Sequence, residues 1–223
     1  LTVNTTPAIL TQPINISSCE NLNVSFSVVA SGTNLTYQWY KNAAIIGGAT
    51  NAVLNLSNIA PTDEASYSCI VTGTCGSVTS TPGTLTVDIA AIIASHPQSK
   101  TVCPGMATDL TVIVPAGTNL IYQWVKDGAN VGINSPIYNI PSFAAGDAGS
   151  YHCNITNNCG TVTSNSATLT LGSPANITSN PVSITACAGG IANFSLAAGG
   201  SNLTYRWQKD GVPLTNGGTI SGV

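Results

Sequence analysis

Three features of the sequence lead to an all-β chain of tandem antiparallel β-sandwiches on an 84-residue repeat. Cysteines recur at a fixed interval: Cys19, Cys103 and Cys187 are spaced by 84 residues, as are Pro13, Pro97 and Pro181, and Cys69 and Cys75 return 84 residues later as Cys153 and Cys159. Apolar residues alternate with polar ones over short runs bounded by Gly, Asn and Pro, the signature of half-buried strands. No run of ten or more residues carries a helical stripe. A fixed period of this length marks an array in which each repeat is one structural unit.

Each element follows in order within a unit. "NVSFSVVASG" places Val24, Phe26 and Val28 on one face, and "NLTYQWYK" does the same with Leu35, Tyr37 and Trp39. The second phrase returns as "NLIYQWVKDG" and "NLTYRWQKDG", which puts Trp124 and Trp207 at the place of Trp39. Turns are expected at Gly47-Gly48, Asp127-Gly128 and Asp210-Gly211. Later runs are Val53 to Leu56, "SYSCIV" and "GSVTSTPGTLTV". About seven short strands in a repeat of this length make a two-sheet sandwich. The expected boundaries are 1–3 for the tail of a preceding repeat, 4–88 and 89–172 for two whole repeats, and 173–223 for an incomplete one holding the first three strands, with more repeats on both sides.

Composition narrows the function. Only 6% of residues are charged and the net charge is -3, so there is no basic stripe to hold nucleic acid. Hydrophobic residues make up 43%, enough for a packed core rather than a disordered chain. No apolar run is long enough to span a membrane as a helix, so direct membrane insertion is not expected. Seven cysteines at repeating positions, none in a CxxC pair, point to an oxidising, secreted setting rather than to zinc.

"DEASYSC" (63–69) and "DAGSYHC" (147–153), together with "YQWYK" and "YQWVK", resemble the immunoglobulin superfamily at the start of strand F and along strand C. The resemblance implies that Tyr67 and Tyr151 form tyrosine corners, that Trp39, Trp124 and Trp207 plug the cores, and that Asp63 and Asp147 hold the turn before strand F. The style "CGTVTSNSATLTL" is similar to the tandem immunoglobulin-like repeats of large secreted bacterial surface proteins, those of the Bacteroidetes above all. Such proteins serve as stalks or adhesins, which implies as partners the neighbouring repeats of the same chain, other copies in a fibre, and a glycan or surface ligand.

The pattern departs from the family in one respect. The strand B cysteine, about eleven residues before the core Trp, is replaced by Val28, Ile113 and Leu196, so Cys69 and Cys153 lack their usual partner and should be small buried groups. In the family's topology the turn carrying Cys19 lies at the base of a unit, whereas the turn carrying Cys159 lies at the top of the next. An inter-repeat Cys19–Cys159 bond is therefore expected, which leaves Cys75 to a preceding unit and Cys103 to the top of the third, with Cys187 at that unit's base. The rivals are Cys69 with Cys75, Cys19 with Cys69, and free thiols throughout.

Neither His96 nor His152 recurs in other repeats, and neighbours on a strand such as His152 and Cys153 face opposite ways, so no metal site is expected. Eight scattered acids form no recurring pair of the kind glycoside hydrolysis needs, and Asp88 is alone near a linker, which disfavours calcium. Asn-x-Ser/Thr sequons are numerous, as an Asn- and Thr-rich chain produces by chance. Gln38, Gln123 and Tyr40 are candidates for a sugar-binding or packing face on strand C. The sequence thus offers no catalytic residue and implies no cofactor. It describes a structural or adhesive array, or alternatively spacer modules of a secreted polysaccharide-degrading enzyme.

Overall fold

The structure is a computed structural model that describes residues 3–222; the expected tail at Leu1 and Thr2 lies outside the described residues. The first repeat runs through β1 (Ala8–Thr11), β2 (Ile16–Cys19), β3 (Val24–Ser27), β4 (Val29–Ser31), β5 (Thr36–Lys41), β6 (Ala44–Ile45), β7 (Val53–Leu56), β8 (Ala65–Gly73), β9 (Gly76–Thr79) and β10 (Gly83–Asp88). The second runs through β11 (Lys100–Val102), β12 (Thr108–Thr111), β13 (Ile121–Lys126), β14 (Ala129–Val131), β15 (Ile137–Ile140), β16 (Gly149–Asn157), β17 (Gly160–Thr163) and β18 (Ala167–Leu171). The remaining segment holds β19 (Asn176–Ser179), β20 (Ala197–Gly199), β21 (Gln208–Lys209) and β22 (Val212–Pro213).

One layer of the first sandwich has strand order β2-β10-β8-β5-β6 with β9 also on β8, and the opposing layer is formed by β3-β7 and β1-β4. The second sandwich repeats this as β11-β18-β16-β13-β14 with β17, against β12-β15. The sheets are not wholly antiparallel, as the period-two pattern alone implies: β2 runs parallel to β10, and β11 to β18. The cause is a buried proline, Pro13 or Pro97, which has no N–H to give a ladder and lets the first strand cross between layers. The residue ahead of it pins the crossing. Gln12 Oε1 accepts from the Thr81 N–H at 2.9 Å, and His96 Nδ1 accepts from the Asn165 N–H at 3.0 Å.

Both cores are built alike. Trp39 and Trp124 are fully buried, and each indole N–H donates to a backbone carbonyl, that of Asn51 at 2.9 Å or Ser135 at 3.0 Å. Cys69 faces Trp39 across the strand pair, and Cys153 faces Trp124. Val28 shares the first core cluster with Cys69. In the second core that place belongs to Val112, which is 2% exposed, whereas Ile113 is 54% exposed and bridges to Ser95. Ile113 is thus not the strand B core residue. The second unit carries one extra residue between strand B and the Trp, so counting back from Trp124 lands one position late and on the wrong face.

Each sandwich ties a strand tyrosine back to the turn before it. Tyr67 Oη donates to the Asp63 carbonyl at 2.8 Å and Tyr151 Oη to the Asp147 carbonyl at 2.6 Å. Each aspartate also accepts from the N–H three residues earlier, that of Ala60 at 3.1 Å or Ala144 at 2.9 Å, closing the single helical turns Pro61–Asp63 and Ala145–Asp147. Trp207 departs from its expected role. It is only half-buried, whereas Trp39 and Trp124 are fully buried.

Turns form at all three expected places: at Gly47-Gly48, closed by the Ala49 N–H on the Ile46 carbonyl at 3.2 Å, at Asp127-Gly128 and at Asp210-Gly211. The β5–β6 hairpin of the first unit has a further two-residue turn ahead of the first of these, Asn42-Ala43, with φ of 47° and 65°. An alanine in this left-handed conformation costs about 1–2 kcal/mol. We expect Ala43→Gly to stabilise the protein by about 1 kcal/mol in denaturant titration, while Ala44→Gly, inside β6, costs roughly 0.5–1 kcal/mol; a destabilised Ala43→Gly would contradict the turn geometry.

Candidate functional site: the joint between repeats

The chain leaves the first sandwich along β10 and enters the second without a flexible linker. Asp88, the last residue of β10, is 1% exposed, and no Lys or Arg is among its partners. A buried carboxylate needs hydrogen-bond donors to offset its lost hydration. Three side chains supply them from both repeats: Ser17 Oγ and Asn158 Nδ2 donate to Oδ2 at 2.8 and 2.9 Å, and Thr118 Oγ1 donates to Oδ1 at 2.8 Å. The amide of Asn158, then the hydroxyls of Thr118 and Ser17, hold its carboxyl below the usual carboxylate range.

The backbone around Asp88 is clasped as well. The Glu20 N–H donates to the Asp88 carbonyl at 2.9 Å. Ile89 and Thr118 bond reciprocally, the Ile89 N–H to Thr118 Oγ1 at 3.0 Å and the Thr118 N–H to the Ile89 carbonyl at 3.1 Å. Asn157 Nδ2 donates to the carbonyls of Ile89 and Thr118, at 2.6 and 3.0 Å.

Cys19 and Cys159 are disulfide-bonded across this joint, with Cα atoms 5.6 Å apart. Cys19 is set beside Asp88 by the parallel pairing of β2 and β10, and Cys159 sits on the β16–β17 turn. Its Sγ lies 3.4 Å from the Asp88 carbonyl oxygen, a packing contact because a disulfide sulfur has no proton to donate. One carboxylate, one disulfide and one backbone clasp therefore meet at the same point. The arrangement ties two sandwiches together and offers no nucleophile or general base.

The other cysteines are free. Cys69 and Cys153 are fully buried, and burial raises both thiols, that of Cys153 to about 11, so neither is a thiolate at neutral pH. Cys75 and Cys187 are exposed and Cys103 is half-buried. Gln38 and Gln123 do not present the open polar face proposed for strand C. Their amides donate to the carbonyls of Trp39 and Ile46, and of Trp124 and Val131, and so brace the hairpin after strand C. A shallow groove of about 170 Å³ runs beside His96, Lys100 and Asp109, but Lys100 Nζ is taken by the Asp109 carbonyl and carboxylate at 2.6 and 3.2 Å. Among the described residues no group of three or more His, Cys, Asp and Glu could hold a metal ion, and no helix is long and apolar enough to cross a membrane.

Sequence reasoning reached the disulfide pair and missed the role of Asp88. The sequence shows only an acid directly after "TLTV"; the donors it meets are brought to it by the stacking of the two sandwiches. Replacing Asp88 with Ala leaves the donors of Ser17, Thr118 and Asn158 without their acceptor, and we expect it to weaken the joint by about 1.5–3 kcal/mol, read as faster amide exchange at Glu20, Ile89 and Thr118. Because the folded carboxyl is held low, the clamp is at full strength above the unfolded value of about 3.9 and is lost as pH falls through the folded one. Protection at these amides should follow that course in the parent and be flat with pH in the variant.

No family model matches the chain. It is 25% identical over 93% of its length to mouse leucine-rich repeats and immunoglobulin-like domains protein 3, and 27% identical over 93% to human leucine-rich repeats and immunoglobulin-like domains protein 2. The chain spans about a fifth of those relatives, 21% and 22%. Among solved structures, the I67-I69 fragment of titin superposes with a TM-score of 0.63 at 18% identity, covering 96% of this chain and 83% of that one. The immunoglobulin domains 1–5 of Sidekick-1 superpose with a TM-score of 0.67 at 18% identity, covering 81% and 42%. The fold is that of tandem immunoglobulin-like domains.

Proposed function

We propose that the chain is a non-enzymatic structural and adhesive repeat region, a stiff stalk or filament segment of a large secreted cell-surface protein. The observation that carries this reading is the joint. Interfaces between domains of one chain are ordinarily small and mobile, whereas here a disulfide, a buried carboxylate and a backbone clasp coincide between consecutive sandwiches. Such a joint transmits orientation, which a spacer needs and a flexible tether does not.

The sparsely charged Thr-, Ser- and Asn-rich surface suits a spacer that resists indiscriminate sticking. Binding then falls to the tip of the array, or to weak sites multiplied along it by avidity. A glycan or surface ligand and other copies in a fibre are the partners this reading favours. The bacterial surface-protein style of "CGTVTSNSATLTL" supports a secreted, bacterial origin, and the likeness to a protein of leucine-rich repeats and immunoglobulin-like domains supports a role outside enzymology.

The second reading, spacer modules of a secreted polysaccharide-degrading enzyme, is separated from the first by the length of the intact polypeptide at its source. Mass determination and peptide mapping under reducing conditions should find many 84-residue units and no catalytic domain; a short array joined to a hydrolase domain would overturn the stalk.

A further inference from the structure

A second copy of the joint's receiving half lies at the top of the first sandwich. In the filled joint, residue 89 enters the second sandwich by its reciprocal bonds with Thr118. At the top of the first sandwich, Thr5 makes the same pair with Thr33: its N–H donates to Thr33 Oγ1 at 2.9 Å, and the Thr33 N–H returns to the Thr5 carbonyl at 3.3 Å. Thr5 and Ile89 are 84 residues apart. Beside Thr118, the filled joint has the Asn157 amide on the Thr118 carbonyl at 3.0 Å; beside Thr33, the Thr74 N–H reaches the Thr33 carbonyl at 3.0 Å.

The cysteine-bearing turns correspond too. Cys159 lies between the paired residues Asn157 and Gly160, and Cys75 between the paired residues Gly73 and Gly76. The two glycines share one left-handed conformation, with φ of 124° and 117°. The turns differ in what covers them: Cys159 is bonded to the base of the preceding sandwich, and Cys75 is an exposed free thiol.

We propose that Cys75 is the receiving half of another inter-repeat disulfide, and that its partner is the base-turn cysteine, the counterpart of Cys19, of a repeat of this kind placed ahead of Thr5 on the same chain. The clasp decides for the same chain. Thr5 is clasped at the top of the first sandwich as Ile89 is at the top of the second, so a repeat joined ahead of it would set its base turn beside Cys75. The two thiols lose two protons and two electrons to a small disulfide oxidant, such as oxidised glutathione, which is reduced to two thiols as the new sulfur–sulfur bond forms. The inference rests on the geometry of the joint and holds whether the array is a stalk or a spacer beside an enzyme.

The test is the full chain extended by a tandem copy of residues 5–88 ahead of Thr5, folded in a glutathione redox buffer and digested without reduction. The expected peptide joins Cys75 to the Cys19 counterpart in the added copy, and Cys75 loses its reactivity to alkylating reagents. Recovery of Cys19–Cys159 in the same digest shows that the chain has folded. Cys75→Ser in the extended chain should leave the added cysteine open to alkylation. The proposal is overturned if Cys75 stays alkylatable while Cys19–Cys159 is formed, or if it links chiefly to a second copy, seen as a ladder on a non-reducing gel.

Discussion

Everything above the level of the single sandwich depends on a carboxylate that is not in water. Asp88 is buried between two repeats and is kept ionised by three neutral donors, two of them from the second repeat and one from the first. An ion without a countercharge is tolerated inside a protein only where its hydrogen bonds are all made and well aimed. The second sandwich must therefore sit where Thr118 and Asn158 reach the carboxylate. The disulfide beside it then holds in covalent form the geometry that the carboxylate selects.

The position of the disulfide follows from the cores. In each sandwich the strand F cysteine is buried against the indole layer, and the residue facing it from strand B is a valine, Val28 or Val112. Nothing in either core can form a bond to it, and burial keeps the thiol protonated. Each sandwich is held instead by its Trp, its tyrosine corner and the aspartate that closes the turn before strand F. Oxidation chemistry is thereby moved from the interior of a unit to the joint, where it couples one unit to the next.

Much of this was legible in the sequence because the repeat prints it twice. Trp39 and Trp124, Tyr67 and Tyr151, and Asp63 and Asp147 each carry a spacing and a residue type that demand one role, and Cys19 with Cys159 followed once top and base were placed. The failures share a physical cause. A single inserted residue changes the face of a strand, which moved the core position from Ile113 to Val112. A left-handed turn is forced on Asn42-Ala43 by the hairpin it closes, and unlike the turn at Gly47-Gly48 it carries no glycine to mark it. Gln38 reads as an outward polar residue until its own hairpin folds back and brings the Ile46 carbonyl within reach. Asp88 was unreadable for a related reason, since its meaning lies in Thr118 and Asn158, residues 30 and 70 positions away that only the stacking of the sandwiches brings near.

Residual dipolar couplings measured on the oxidised chain at neutral pH read whether consecutive sandwiches keep a fixed orientation. A fixed joint predicts that amides of the first and second sandwiches fit one shared alignment tensor, and that the tensors separate when Cys19→Ser and Asp88→Ala are combined. Two distinct tensors in the unaltered, oxidised chain would show instead that the repeats move independently and that the joint does not fix them.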